Sequence, residues 1–170
     1  MKLYCKKRGN INQSVEAYAF LENLFRRIYH EDMPVIKKTP TGKPYFPDRS
    51  DIHFSLSHSK THILCALSSV PIGVDIESER QISERTKSFF CSPKELTDFE
   101  PLELWVLKES YIKLFGKTLV DIKKLHFSRD GDTIITPDSS VESRLYCINS
   151  CYAAVSTLKN HLPESIELMP

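Results

Sequence analysis

The sequence predicts an α+β fold, with antiparallel sheets and one long helix in each half of the chain. Two stretches repeat apolar residues at the three- and four-residue spacing of a helix, one at 14–29 and one around 102–116. Short alternating or wholly apolar runs, separated by turn residues, fill the chain between and after them. The resulting order of strand, helix, strands, helices and strands again is that of an α+β domain.

The elements follow in order. Residues 2–5 read as a short first strand. Within 14–29, Ala17, Phe20, Leu21, Leu24, Phe25 and Ile28 trace one face; Asn12 or Ser14 can cap it, and Arg26 and Arg27 flank it as surface cations. A β-like run at 35–38 leads into Thr39-Pro40-Thr41-Gly42-Lys43-Pro44, a turn with a lysine at its tip. The alternation at 52–59 predicts a strand, and the continuous apolar run at 63–67 a central one. Ser68-Ser69-Val70-Pro71 then turns the chain into a further strand at 72–77. Ser92-Pro93-Lys94-Glu95 is a capping box, expected to open a short helix that stops before Pro101. Pro101 can begin the central helix, with Gly116 as its stop. Beyond it, strands are expected at 125–128, 133–135, 144–148 and 152–155, with a turn at Asp130-Gly131 and little periodicity after Leu158.

With 170 residues the chain holds one compact domain, or two small halves that share a core. A net charge of +1 argues against bulk electrostatic binding to nucleic acid. The five cysteines form no CxxC and have no histidine at zinc spacing, so they read as reduced thiols. No apolar run reaches membrane length, and Lys6-Lys7-Arg8 interrupt the start before any signal-peptide core. The expectation is a cytoplasmic protein without a membrane or nucleic-acid partner. It has no Walker loop, GxGxxG, GxSxG or HExxH.

Three places carry polar groups that invite a second reading. On the central helix, Glu109 lies one turn after Trp105 and three residues before Ile112, on the inward-facing side, where an unpaired charge is costly. Lys113 follows one turn later, and Lys108 lies on the other flank. Taken alone, a surface pair Glu109–Lys113 at i,i+4 is the simpler account. In the strand at 72–77, Asp75 and Glu77 share one face and Val74 and Ile76 the other. Two carboxylates so placed repel each other; a hard divalent cation such as Mg²⁺ would relieve them, and so would an exposed strand edge. The strand at 52–59 ends in Ser57-His58-Ser59, a set suited to phosphate oxygens or simply to a strand-end turn.

Taken together these motifs gain specificity. Gly42-Lys43-Pro44, Ser57-His58-Ser59, Gly73-Val74-Asp75-Ile76-Glu77 and Trp105-Val106-Leu107-Lys108-Glu109-Ser110-Tyr111-Ile112-Lys113 follow one another as in the 4′-phosphopantetheinyl transferases. The chain resembles the surfactin-synthetase-activating (Sfp-like) type from about residue 14 to about residue 156. The resemblance implies a pseudo-twofold pair of α/β halves, about 1–78 and 79–170, forming one monomeric domain with coenzyme A in the cleft between them. It implies that Asp75, Glu77 and Glu109 bind Mg²⁺, with Mn²⁺ as a substitute. It also implies that Lys43, Pro44, Ser57, His58, Asp75, Lys108 and Lys113 contact coenzyme A.

The implied reaction is attack by a serine of an apo acyl carrier protein or peptidyl carrier domain on the β-phosphate of coenzyme A, releasing 3′,5′-ADP. Such a transfer needs charge neutralisation and alignment more than covalent catalysis. Glu109, directly or through a metal-bound water, is the candidate for taking the serine proton, and Lys113 the one for offsetting charge on the bridging oxygen. Two features depart from the family pattern. Only Lys6, Lys7 and Arg8 stand where relatives carry a longer basic segment, which bears on the grip of the 3′-phosphate, and Thr118 stands where many have glycine. Other readings are an inactive module of the same fold that binds coenzyme A or a carrier protein, and a metal-dependent phosphoesterase. A smaller trimeric holo-carrier synthase fits less well, since Gly73-Val74-Asp75 lies internally. A carrier-docking surface is expected at 81–90, with Phe89 and Phe90 either as its anchors or as core residues.

Overall fold

The computed structural model describes residues 1–9 and 12–170. Strand β1 (Lys2–Lys7) precedes helix α1 (Gln13–Tyr29). Asn12 Oδ1 caps the helix by accepting from Ser14 N at 3.1 Å and Val15 N at 3.4 Å, and His30 closes it in the left-handed region. A small hairpin follows, β2 (Lys37–Lys38) and β3 (Pro44–Tyr45), then β4 (His53–His58), β5 (His62–Ser68) and β6 (Ile72–Ser78). Next come α2 (Glu84–Phe90), a 3₁₀ turn (Glu95–Thr97) and the central helix α3 (Pro101–Phe115). A second 3₁₀ turn (Leu119–Lys124) leads to the hairpin β7 (Ser128–Asp130) and β8 (Thr133–Ile135). The chain then runs through β9 (Val141–Ile148), β10 (Cys151–Leu158) and β11 (Glu167–Met169).

Two main sheets result, β11-β1-β5-β4 and β6-β10-β9, antiparallel throughout except for the parallel β1–β11 pair. The predicted α1 face of Phe20, Leu21, Leu24 and Phe25 packs on Phe54, Ile63, Cys65 and Leu67 of the first sheet. Helix α3 covers the second sheet, with Leu107, Tyr111 and Leu114 in one cluster with Val141 and Ala154. The remaining sheet faces meet each other: Leu3, Cys5, Leu64 and Ala66 pack against Ile72, Val74, Ile76, Ala153 and Val155. β6, which precedes the expected boundary at 78/79, pairs with β10 in the second sheet.

β4 and β6 run side by side without a backbone ladder. Serine hydroxyls replace it: Ser55 Oγ accepts from Val74 N at 3.0 Å and Ser57 Oγ from Ile76 N at 3.2 Å. The buried amides on this side of β6 are thereby satisfied by side chains.

Other expectations need correction. The capping box forms, with Ser92 N donating to Glu95 Oε2 at 2.9 Å and Glu95 N to Ser92 Oγ at 3.3 Å, but opens only the 3₁₀ turn. The other Glu95 oxygen points inward, to Lys108 Nζ at 2.9 Å and Phe127 N at 3.1 Å. Helix α3 has its own capping box, Glu100 with Glu103, and ends at Gly116 at φ 63°. Residues 119–124 coil rather than extend, so the strand expected at 125–128 starts only at Ser128. Phe90 is buried and meets Trp105 edge-on at 5.0 Å, while Phe89 stays exposed beneath Lys123 at 4.8 Å. All five cysteines are free thiols. Among the described residues, no helix is long and apolar enough to cross a membrane.

Candidate functional site

The site is organised by a contact between β6 and α3. Strand alternation sends Val74 and Ile76 into the core between the sheets and leaves Gly73 and Asp75 facing α3. A Cβ on Gly73 would lie 2.0 Å from Ser110 O and 2.4 Å from Leu114 N, so helix and strand touch backbone to backbone. Only glycine permits that approach. It brings Lys113 Nζ to 2.7 Å from Asp75 Oδ1, the same oxygen that Ser57 Oγ reaches at 2.7 Å from β4.

Glu109 sits one turn before Lys113. Burial pushes its carboxyl up to about 7, the negative charges of Asp75 and Glu77 push the same way, and Lys113 opposes them. It is therefore an acid poised to exchange a proton near neutral pH. Glu77 Oε1 is paired with Arg80 Nε at 2.9 Å.

Lys43, Pro44, Glu109 and Lys113 converge on one cavity of about 300 Å³, floored by Phe54, Leu56, Ile112 and Leu119. Lys43 closes its rim. Its ammonium donates to Leu114 O at 2.5 Å, and its stem lies against Gly116, where a Cβ would meet Lys43 Cβ at 3.3 Å. The cation thus rests on the C-terminal end of α3, where the helix dipole favours it. Burial without a counter-charge lowers its pKa to about 8. A larger cavity, about 520 Å³, lies between β1 and residues 160–167 and holds none of the expected site residues.

Five expected residues lie outside this cavity: Asp75 and Glu77 on β6, and Ser57, His58 and Lys108. His58 ends β4 on the strand face of Phe54 and Leu56, half-buried, further along the sheet. Ser57 is 6% exposed and its hydroxyl is already engaged on both sides. Lys108, expected to contact coenzyme A, is instead 1% exposed, paired with Glu95 Oε1 at 2.9 Å and donating to Phe90 O at 2.6 Å. One residue along a helix is a rotation of about 100°, which turns Lys108 toward the end of α2 while Glu109 faces β6.

Lys117 was not anticipated. It lines the cavity beyond Gly116, with its ammonium 5.2 Å from the Phe115 ring and 5.6 Å from that of Tyr111. The glycine stop was legible, but the direction taken by the chain after it was not. Ser55 was also missed, although strand alternation places it on the face of Ser57.

The acidic residues suit a hard cation in their chemistry. Asp75, Glu77 and Glu109 are oxygen donors whose mutual repulsion a divalent ion would relieve; that repulsion adds to the burial that chiefly raises the Glu109 acid. As placed, Asp75 is committed to Lys113 and Ser57, and Glu77 to Arg80. Among the described residues, no three His, Cys, Asp or Glu side chains stand close enough to ligate one ion.

Comparison with known proteins adds a second line of support. The family model described as the 4′-phosphopantetheinyl transferase superfamily matches residues 71–158, which carry both β6 and α3. The chain is 41% identical over 113 residues to 4′-phosphopantetheinyl transferase Sfp of Bacillus subtilis (strain 168), covering 58% of this chain and 50% of that protein. With 4′-phosphopantetheinyl transferase psf-1 of Bacillus pumilus it shares 30% identity over 171 residues, 87% of this chain and 73% of the relative. With 4′-phosphopantetheinyl transferase gsp of Aneurinibacillus migulanus the figures are 36% over 93 residues, 49% and 38%. The matched region spans about half the length of the Sfp protein.

Proposed function

Because the chain belongs to the 4′-phosphopantetheinyl transferase superfamily, we propose that it transfers the 4′-phosphopantetheine group of coenzyme A to a serine hydroxyl of an apo acyl or peptidyl carrier protein. The product is a phosphodiester on the carrier, and 3′,5′-ADP leaves. The observation that carries this reading is the convergence of Lys43, Pro44, Glu109 and Lys113 on one partly apolar cavity beside Asp75.

In this reading coenzyme A lies between the parts of the chain before and after about residue 78. Lys43 and Lys113 supply positive charge to its phosphates, and Pro44 contributes to the wall beside them. Glu109, a carboxyl near neutrality, takes the proton of the attacking serine. Asp75 holds Lys113 in place, and its own carboxylate, with those of Glu77 and Glu109, would hold Mg²⁺. Bound there, the ion would neutralise charge on the pyrophosphate as a Lewis acid. His58, at the open end of β4, extends the anion-binding surface.

The test is the intact mass of an apo carrier protein after incubation with the protein, coenzyme A and Mg²⁺, beside Glu109→Gln. A gain of one phosphopantetheine group that disappears in the variant is expected. No gain on carriers from several pathways, with coenzyme A still bound, would favour the non-catalytic binding module.

A further inference from the structure

Gly73, Ser156 and Ser143 are register partners, so they form one row across β6, β10 and β9. Partners in register share a sheet face, and this is the face that α3 covers. One helix residue, Ser110, meets two members of the row: its carbonyl lies over Gly73, and its hydroxyl is 2.7 Å from Ser156 Oγ. We propose that Ser110 is a positioning residue that fixes the roll of α3 about its own axis, and with it the heading of Glu109; the inference rests on the transferase reading above.

The protons of this cluster run one way. Ser110 Oγ lies 2.8 Å from Leu107 O, and a carbonyl only accepts, so the one Ser110 proton goes there. Ser156 must then donate to Ser110, and Ser143 to Ser156 at 2.8 Å. Ser110 and Ser156 are fully buried and Ser143 nearly so, where a hydroxyl left without a partner is costly. The bond that spans helix and sheet is therefore Ser156 to Ser110, and Ser143 only supports it from behind. Ser143 also lines a cavity of about 310 Å³ beside Thr133 and Ile134, so its proton has another direction to turn.

Among the described residues, two side-chain hydrogen bonds join α3 to the second sheet, this one and Lys113 to Asp75. Lys113 reaches out on a flexible four-carbon stem, which can follow a rolling helix. Ser110 and Ser156 each reach out by a single carbon, which cannot. Gly73 lets the helix come close but gives it no side chain to lock against. A side-chain tip stands about 5–6 Å from a helix axis, so a roll of about 10° carries it about 1 Å. A displacement of that size can cost about a hundredfold in rate. None of the three serines lines the cavity that holds Glu109 and Lys113, so any effect they have on transfer must pass through α3.

The experiment compares wild type, Ser110→Ala, Ser156→Ala, the double variant and Ser143→Ala. It measures kcat and the KM for coenzyme A in transfer to an apo carrier, at a temperature where all are folded, and urea unfolding of the same set. Ser110→Ala and Ser156→Ala delete the same bond, so each should lower kcat by about tenfold or more and the double variant no further, with KM within about threefold of wild type. Ser143→Ala keeps the bond and should hold kcat within about threefold. Ser110→Cys fills the same space with a weak donor; it should behave as Ser110→Ala and stands in for it if the alanine variant does not fold. A kcat within about threefold of wild type in both Ser110→Ala and Ser156→Ala would leave the bond a matter of stability alone and overturn the proposal. Rate losses that multiply in the double variant would overturn it too. A wild-type protein that neither binds coenzyme A nor modifies a carrier would remove the transferase reading, and the proposal with it. A double variant no less stable in urea than the weaker single would still show the bond itself.

Discussion

Gly73→Ala tests the backbone contact on which the site is built. The new Cβ would lie 2.0 Å from Ser110 O, where side-chain carbons essentially never come within 3.0 Å, so α3 must retreat from β6 by roughly 1 Å. The clash is with backbone on both sides, leaving no flexible side chain to move aside. Overpacking of a filled interior costs about 1–3 kcal/mol, and a rigid contact belongs at the upper end, about 3 kcal/mol. The retreat also pulls Lys113 and Glu109 away from Asp75, and a displacement of ~1 Å in a catalytic arrangement can cost about a hundredfold in rate. Urea unfolding measures the first effect and a time course of carrier mass the second. Gly131→Ala is the reference: at φ 57° with nothing among the described residues within 4 Å of its Cβ, it should cost only backbone strain, about 1–2 kcal/mol, and no rate. A Gly73→Ala protein within about 1 kcal/mol of wild type and with its transfer rate intact would refute the idea that this contact sets the site.

Three other outcomes follow from the charges. Glu109 titrates at about 7 in the fold against an ordinary 4.5, so the native state keeps a proton that the unfolded chain has lost. Unfolding free energy measured in EDTA should therefore fall as pH rises from 4.5 to about 7, and Glu109→Gln should abolish that fall, worth up to about 3 kcal/mol; an unchanged slope would contradict the assignment. Lys43, lowered to about 8, should lose its charge on the alkaline side, so coenzyme A binding by calorimetry should weaken by up to about tenfold from pH 7 to pH 9 and become flat in Lys43→Met. Lys108→Met leaves Glu95 buried without its cation and should cost about 3–5 kcal/mol in urea unfolding, while the folded protein keeps its coenzyme A affinity. A tenfold loss of affinity there would restore Lys108 to the binding surface.

The long helices and most strands were legible because each depends on a local period, as in the α1 face from Ala17 to Phe25. The opposed faces of β6 were legible for the same reason. What stayed hidden depends on partners distant in sequence. Glu95 reads as a helix cap and Lys108 as a coenzyme A contact until the folded chain pairs them beside the end of α2. Lys43 looks like a loop lysine until its turn lands on Leu114. Ser57 has the composition of a phosphate contact, and only the register of β4 against β6 reveals the carboxylate beside it. β11 was missed because three residues are too few to show a period, and its pairing is decided wholly by β1.

That last pairing has a consequence for biogenesis. β1 is synthesised well before β11, yet one of its edges waits for residues 167–169. Until β11 is made, the first sheet offers an unfilled edge, the usual template for association with another chain. The strand carries Lys2, Lys6 and Lys7 at its ends, and charges so placed discourage such pairing. The parallel docking of β11, tied down by Arg27 to Glu167 at 3.3 Å, retires that hazard only as the last of these strands is delivered.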